Sequence, residues 1–181
     1  MRRRELLALI AALALGATRG ASGGPPSEYE VKAVFLFNFS QFVSWPPEAF
    51  SAADAPMIIA VLGSDPFGHE LDAVVRGERL GTHPLEVRRY RDVSEVTNCQ
   101  ILFIDRSEAR QLPEIVQALR GRSILTVSDI DEGTRAGLMI DLVKQSDRIR
   151  LRINVAAARA GRLTISSKLL RPAEIVGAAE G

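Results

Sequence analysis

The sequence is poor in the residues that carry most protein chemistry. There is a single cysteine, Cys99, and there are two histidines, His69 and His83. One cysteine excludes an intramolecular disulfide, and it excludes the cysteine pairs of zinc sites. Cys99 stands in "NCQILFI", beside an apolar strand, and reads as a buried thiol. His69 and His83 have no Cys or His at metal-binding spacing and read as loop histidines. Between residues 28 and 176 no G-x-S-x-G elbow, G-x-x-x-x-G-K-[ST] loop or G-x-G-x-x-G turn is present. "DIDEG" at 129–133 opens like a calcium loop, but Ile140 stands where the closing bidentate Glu belongs. No nucleophile–base pair stands out, so the expectation is a protein without catalysis, metal or cofactor.

Charge of one sign is also lacking. With 23 basic and 22 acidic residues the net charge is +1, and no long basic run offers a surface for nucleic acid. Long hydrophobic runs are scarce. The longest apolar stretch runs from Leu6 to Leu15, behind Arg2, Arg3 and Arg4 and ahead of small residues. It is too short for a permanent span and has the layout of a secretory signal peptide. The expected organisation is a signal peptide over 1–21, a flexible leader over 22–27, one domain over 28–176 and a short tail over 177–181. Removal of the leader peptide, with its four arginines and one glutamate, leaves 19 basic and 21 acidic residues and a net charge of −2.

Aromatic residues are few, and they are concentrated. Four of the seven phenylalanines, Phe35, Phe37, Phe39 and Phe42, fall within eight positions, and the only tryptophan, Trp45, follows. The stretch 28–44 predicts a helix stopped by "WPP". At 100° per residue, Val31, Phe35, Asn38, Phe42 and Trp45 share one stripe, the expected core face. Leu36, Phe37 and Val43 lie outside it, which needs a second covering layer: the C-terminal segment or another chain. Phe37, Phe39 and Trp45 are therefore the candidate dimer or partner contacts.

The rest alternates strands and helices. "MIIAVLG", "HPLEVRRY", "CQILFID" and "SILTVSD" read as strands. Helices are expected from near Pro66 and through "EARQLPEIVQALRG", with Pro113 starting or kinking the second. This predicts an α/β three-layer sandwich with a mostly parallel sheet. Met139–Val143 and Ile149–Ile153 predict a hairpin across "KQSDR", followed by a short helix at 155–160, "RLTIS", and a terminal helix near 166–176. In such sheets ligands bind beyond the strand C-termini. Here that means Gly63–Gly68, with Gly63, Ser64, Asp65 and Gly68 as candidate ligand residues, and Ser128–Asp131.

Taken in order, "EYEVKAVFLFNFSQFVSWP", "IIAVLGSDPFGHEL", "CQILFID", "SILTVSD" and "GLMIDLVKQSDRIRLRINVAAARAGRLTISSKLL" resemble the YfiR family over about residues 28–176. The resemblance implies a periplasmic α/β protein that forms homodimers and has no catalytic activity. It implies a repressor acting on the periplasmic region of an inner-membrane diguanylate cyclase of YfiN type, whose release raises cyclic di-GMP and favours biofilm. Well-studied members carry disulfides. Cys99 matches one family cysteine position and its partner is absent, and "DEGTRAGLMI" lacks an aromatic found in many relatives. The alternative is a periplasmic small-ligand-binding protein.

Overall fold

The computed structural model describes residues 25–146 and 148–177; the expected signal peptide, half of the leader and most of the tail lie outside them. The chain runs α1 (Glu28–Phe42), β1 (Val43–Ser44), β2 (Met57–Leu62), α2 (Glu70–Val75), β3 (Arg79–Leu80), β4 (His83–Tyr90), β5 (Ile101–Ile104), α3 (Leu112–Leu119), β6 (Leu125–Ser128), α4 (Gly133–Ala136), β7 (Ile140–Gln145), β8 (Arg148–Asn154), α5 (Val155–Ala160), β9 (Thr164–Ile165), α6 (Ser167–Leu170) and β10 (Glu174–Val176). Eight strands form the central sheet in the order β10-β8-β7-β6-β5-β2-β4-β3. The five strands β4, β2, β5, β6 and β7 are mutually parallel. Among these five, the first in sequence, β2, lies between the second and the third, as in doubly wound sheets. β3 and β8 add antiparallel neighbours, and β10 returns parallel to β8.

The strands β2, β5 and β6 are buried along their whole length. Their side chains alternate between two cores, as the pleat requires. Met57, Ile59, Val61, Phe103 and Val127 meet α1, α2, α5 and α6 on one face. Ile58, Ala60, Leu62, Leu102 and Ile104 meet α3 on the other, beside Leu138 from the segment between α4 and β7. The α/β three-layer architecture is therefore as expected, and so is the hairpin, in which β7 pairs with β8 from Ile140↔Ile153 to Gln145↔Arg148.

Three local expectations differ. The core face of α1 is Ala33, Leu36 and Phe39, continued by Val43, while Phe35 and Phe42 are only partly buried. The helix is apolar nearly all round, so periodicity gives it no direction; a buried polar contact of Lys32 sets its rotation, as described below. The terminal helix is shortened to α6 because Pro172 stops it, and Glu174–Val176 pairs with β8 instead. The second helix begins at Glu70, after the turn closed by Asp65, whose carboxylate accepts from Phe67 N at 2.9 Å. Pro113 lies in the first turn of α3, where its missing N–H costs nothing.

Cys99 is 3% exposed, and burial pushes its thiol up to about 12. At pH 8 the folded protein is expected to resist alkylation, and urea should make one thiol titratable by a chromogenic disulfide reagent. Rapid labelling of the folded chain would place Cys99 at an accessible site.

Candidate functional site

α1 runs across the sheet. Its first turn stands over the C-terminal ends of the parallel strands. It begins at a capping box, in which Ser27 Oγ accepts from Glu30 N and the Glu30 carboxylate accepts from Ser27 N. One turn in, Lys32 is completely buried. Its Nζ donates to Asp129 Oδ2 and to Glu28 Oε1, each at 2.5 Å. Asp129 follows β6 directly, and its side chain is fully excluded from solvent. Tyr29 Oη donates to the same Asp129 oxygen at 3.1 Å, and Lys32 Nζ lies 4.5 Å from the Tyr29 ring centroid. The ammonium thus meets two carboxylates and an aromatic face, a setting that compensates its lost hydration.

The outer members are basic. Arg106, which follows β5 after Asp105, places Nε 3.4 Å from Asp129 Oδ2 and donates to the Asp129 carbonyl at 3.2 Å. Lys144 of β7 reaches Glu28 at 3.1 Å. Arg106, Asp129, Ile130, Asp131, Asp141 and Lys144 line part of a small cavity of about 70 Å³. Asp141 Oδ2 accepts from Thr134 N and Oγ1 at 2.9 and 2.7 Å. Burial nonetheless raises the Asp141 carboxyl above its ordinary value, because the desolvation outweighs those donors. Burial, followed by the Asp129 charge, pushes the Tyr29 phenol up to about 12.

Glu28 titrates the other way. The hydrogen bond from Lys32 holds its carboxyl below the usual value of 4.5, against a partial desolvation. A folded value below the unfolded one contributes stability above about pH 4.5 that is lost as pH falls through the folded value. Urea midpoints measured from neutral pH downward should therefore fall below about pH 4.5. Glu28→Gln should start lower and lack that component. Parallel curves for the two proteins would show that Glu28 is not coupled to Lys32.

The candidate ligand residues sit at the same edge. Gly63 follows β2, between the ends of β4 and β5, at the switch point of the sheet. Gly63, Ser64, Asp65, Arg89, Ser107 and Glu108 line part of an open crevice of about 580 Å³. Gly63 holds φ +95°, and a Cβ there would stand 2.5 Å from Ser107 Oγ, so both conformation and space require glycine. The loop uses its donors internally: Gly63 N to Tyr90 O, and Ser64 N to Ser107 Oγ, both at 3.0 Å. Arg89 is held by Asp65 at 2.6 Å and Asp72 at 2.5 Å, and it donates to the Gly68 carbonyl at 2.6 Å. Phe67 joins it to the lysine cluster, with its ring edge-on to Tyr29 at 5.5 Å and to Phe103 at 4.8 Å.

Phe39, Phe37 and Trp45 lie elsewhere. Phe39 is wholly inside the core. Phe37 is half-buried at its margin. Trp45 lies at the opposite end of α1, where Nε1 donates to the Gln100 carbonyl at 3.0 Å, just before β5. Gln100 also clamps that end through Ile58 N and Ala49 O at 2.8 and 2.6 Å. The structure brings Gly63–Gly68 and Asp129 to one edge and leaves Phe37 and Trp45 outside it. Lys32, Tyr29 and Arg106 were missed in the sequence, although one signal was present: Lys32 is the only charge between Val31 and Pro47.

Among the described residues no group of three or more His, Cys, Asp or Glu side chains is arranged to hold a metal ion. No curated protein matches the chain in sequence. A family model does, over residues 29–174, which take in the crevice and every member of the cluster but Glu28, and the chain belongs to the YfiR/HmsC-like family.

Proposed function

We propose that this chain is a non-enzymatic periplasmic regulator. It binds the periplasmic region of an inner-membrane signalling protein, a diguanylate cyclase in the first instance, and holds it inactive. The observation that carries this reading is the family match across residues 29–174, since the YfiR-like role at family level is regulatory and belongs to cyclic di-GMP signalling. The domain supports it with a helix held at both ends and an apolar patch on its outward side. α1 is pinned at one end by Lys32 and Asp129, and Gln100 holds Trp45 just beyond the other. Its outward side bears Val34, 37% exposed, between the partly exposed Phe35 and Phe37, with no charged residue among them. Such a surface suits a second copy or a partner domain. Phe37 and Trp45 are the contacts assigned to it; Phe39 supports them from the core.

The test is a photo-crosslinking side chain placed at Phe37 in the exported protein. Adducts to a second copy or to a membrane-bound cyclase are expected, and a crosslinker at the neighbouring Val34 should give the same adducts and lose them when Phe37→Ser is added. No adduct from Phe37, with adducts from a site on the opposite layer, would move the contact off α1.

A second reading has its own observation, the crevice at the switch point. Open α/β sheets bind small ligands at this position. A ligand carrier should be stabilised strongly by one metabolite in a thermal-shift screen.

A further inference from the structure

We infer that the outer edge of β8 is a docking site for an extended acidic segment of a partner protein, which adds to the sheet as a further strand. β8 pairs with β7 from Arg148 to Ile153, but on its other side β10 covers only Arg152–Asn154. Among the described residues no strand pairs with the outer side of Arg148–Leu151. Asn154 N donates to Met139 O at 2.9 Å, and this sets the alternation of the ladder. Arg152, Arg150 and Arg148 turn their backbone groups to β7, so Leu151 and Ile149 turn theirs outward. Ile153, the next outward residue, is the one aligned with Ile175 in β10. The edge is therefore a strand template that β10 fills only in part.

Charge selects the occupant. Arg148, Arg150 and Arg152 point to one face, with Val143 and Gln145 beside them on β7. Arg152 is occupied, with Glu174 at 3.4 Å and Asp141 at 4.0 Å. Arg148 and Arg150 are exposed and meet no carboxylate among the described residues. A second copy is a poor occupant. Two β8 edges paired about a two-fold axis through Ile149 would set Arg148 of one copy opposite Arg150 of the other, and like charges directly opposed destabilise a pair. An incoming strand with acidic residues at alternate positions places carboxylates beside both arginines. Its intervening apolar residues fall on the face of Ile149. Backbone bonds would supply affinity and the alternate side chains specificity, as in other strand-addition complexes.

The inference rests on the partner-binding reading, and its test is made on the purified mature chain so that the two can fail separately. The probe is the blocked peptide Thr-Glu-Val-Glu-Val-Glu-Thr, with Lys in place of Glu as its control. Anisotropy at low salt should show binding of the glutamate peptide only. Hydrogen exchange at the Ile149 and Leu151 amides should slow roughly ten-fold on binding. The double variant Arg148→Glu/Arg150→Glu should reverse the preference while keeping the wild-type melting temperature. Absent binding, equal binding of both peptides, or protection confined to other amides overturns the inference. So does attachment to vesicles of phosphatidylglycerol and phosphatidylethanolamine without peptide binding, which would assign the arginines to a lipid surface. A chain that takes the peptide at this edge, in cells whose cyclic di-GMP ignores its deletion, keeps the edge and loses the cyclase.

Discussion

Lys32→Ala is expected to destabilise the domain by about 3–5 kcal/mol, because it leaves the buried Asp129 carboxylate without its closest cation. In a chain of this size that is roughly 6–20 °C in melting temperature. Asp129 has no exposure through which water could replace the ammonium; its side chain is fully excluded. Arg106 cannot take over, since its nearest approach is 3.4 Å and its own side chain is more than half exposed. The logic of a buried pair gives a second arm. Removing both charges, as in Lys32→Met with Asp129→Asn, should recover much of the loss, because neither variant side chain leaves an uncompensated ion. Urea curves for the two singles and the double close the cycle. A single variant within about 1 kcal/mol of wild type would show that the ammonium is not held as described.

Phe39→Ala is the second large effect, also about 3–5 kcal/mol, from lost burial and the cavity left beneath α1. Phe39 shows no exposure and packs beside Phe35, ring centroids 6.2 Å apart. Phe37→Ser should cost less than half as much, because its ring is only half-buried. The contrast is informative because the two residues are near neighbours on one helix. Equal losses would mean that both rings belong to the core and that the contact surface must be sought elsewhere. A folded chain with only that smaller loss of stability and with weakened self-association is the outcome expected of an interface residue, read by sedimentation.

The parts of the fold that were legible in the sequence are those with a single physical solution. "MIIAVLG" and "CQILFID" are short, β-branched and apolar on both faces, and only a central strand buries them. Arg148–Ile153 alternates so regularly that one face must be solvated and the other packed. α1 shows the opposite case. Its sequence is apolar around most of the helix, so a periodic stripe could be drawn through Phe35 and Phe42 although Leu36 and Phe39 lie inward. The rotation depends on one long-range contact, Lys32 with Asp129. Nothing local to either residue specifies it. α6 and β10 depend likewise on an edge being open: Pro172 ends the helix, and β8 then offers the following residues a ladder. The crevice loop was visible as a strand-to-helix turn with glycines, but the engagement of Arg89 by Asp65 and Asp72 requires the β2–β4 register.

These contacts give one account of the molecule: an α/β frame, a helix fixed at both ends and an apolar patch on its outward side, suited to holding another protein in one state. A partner is restrained only insofar as the chain binds its inactive state better than its active one. The direct test is cellular cyclic di-GMP in three strains: one lacking the gene, one complemented with the full chain, and one complemented with a chain that starts at Ser22 and so lacks the expected export signal. The account predicts a rise on deletion, reversal by the full chain and no reversal by the unexported one. Unchanged cyclic di-GMP on deletion, or equal reversal by the unexported chain, would contradict it.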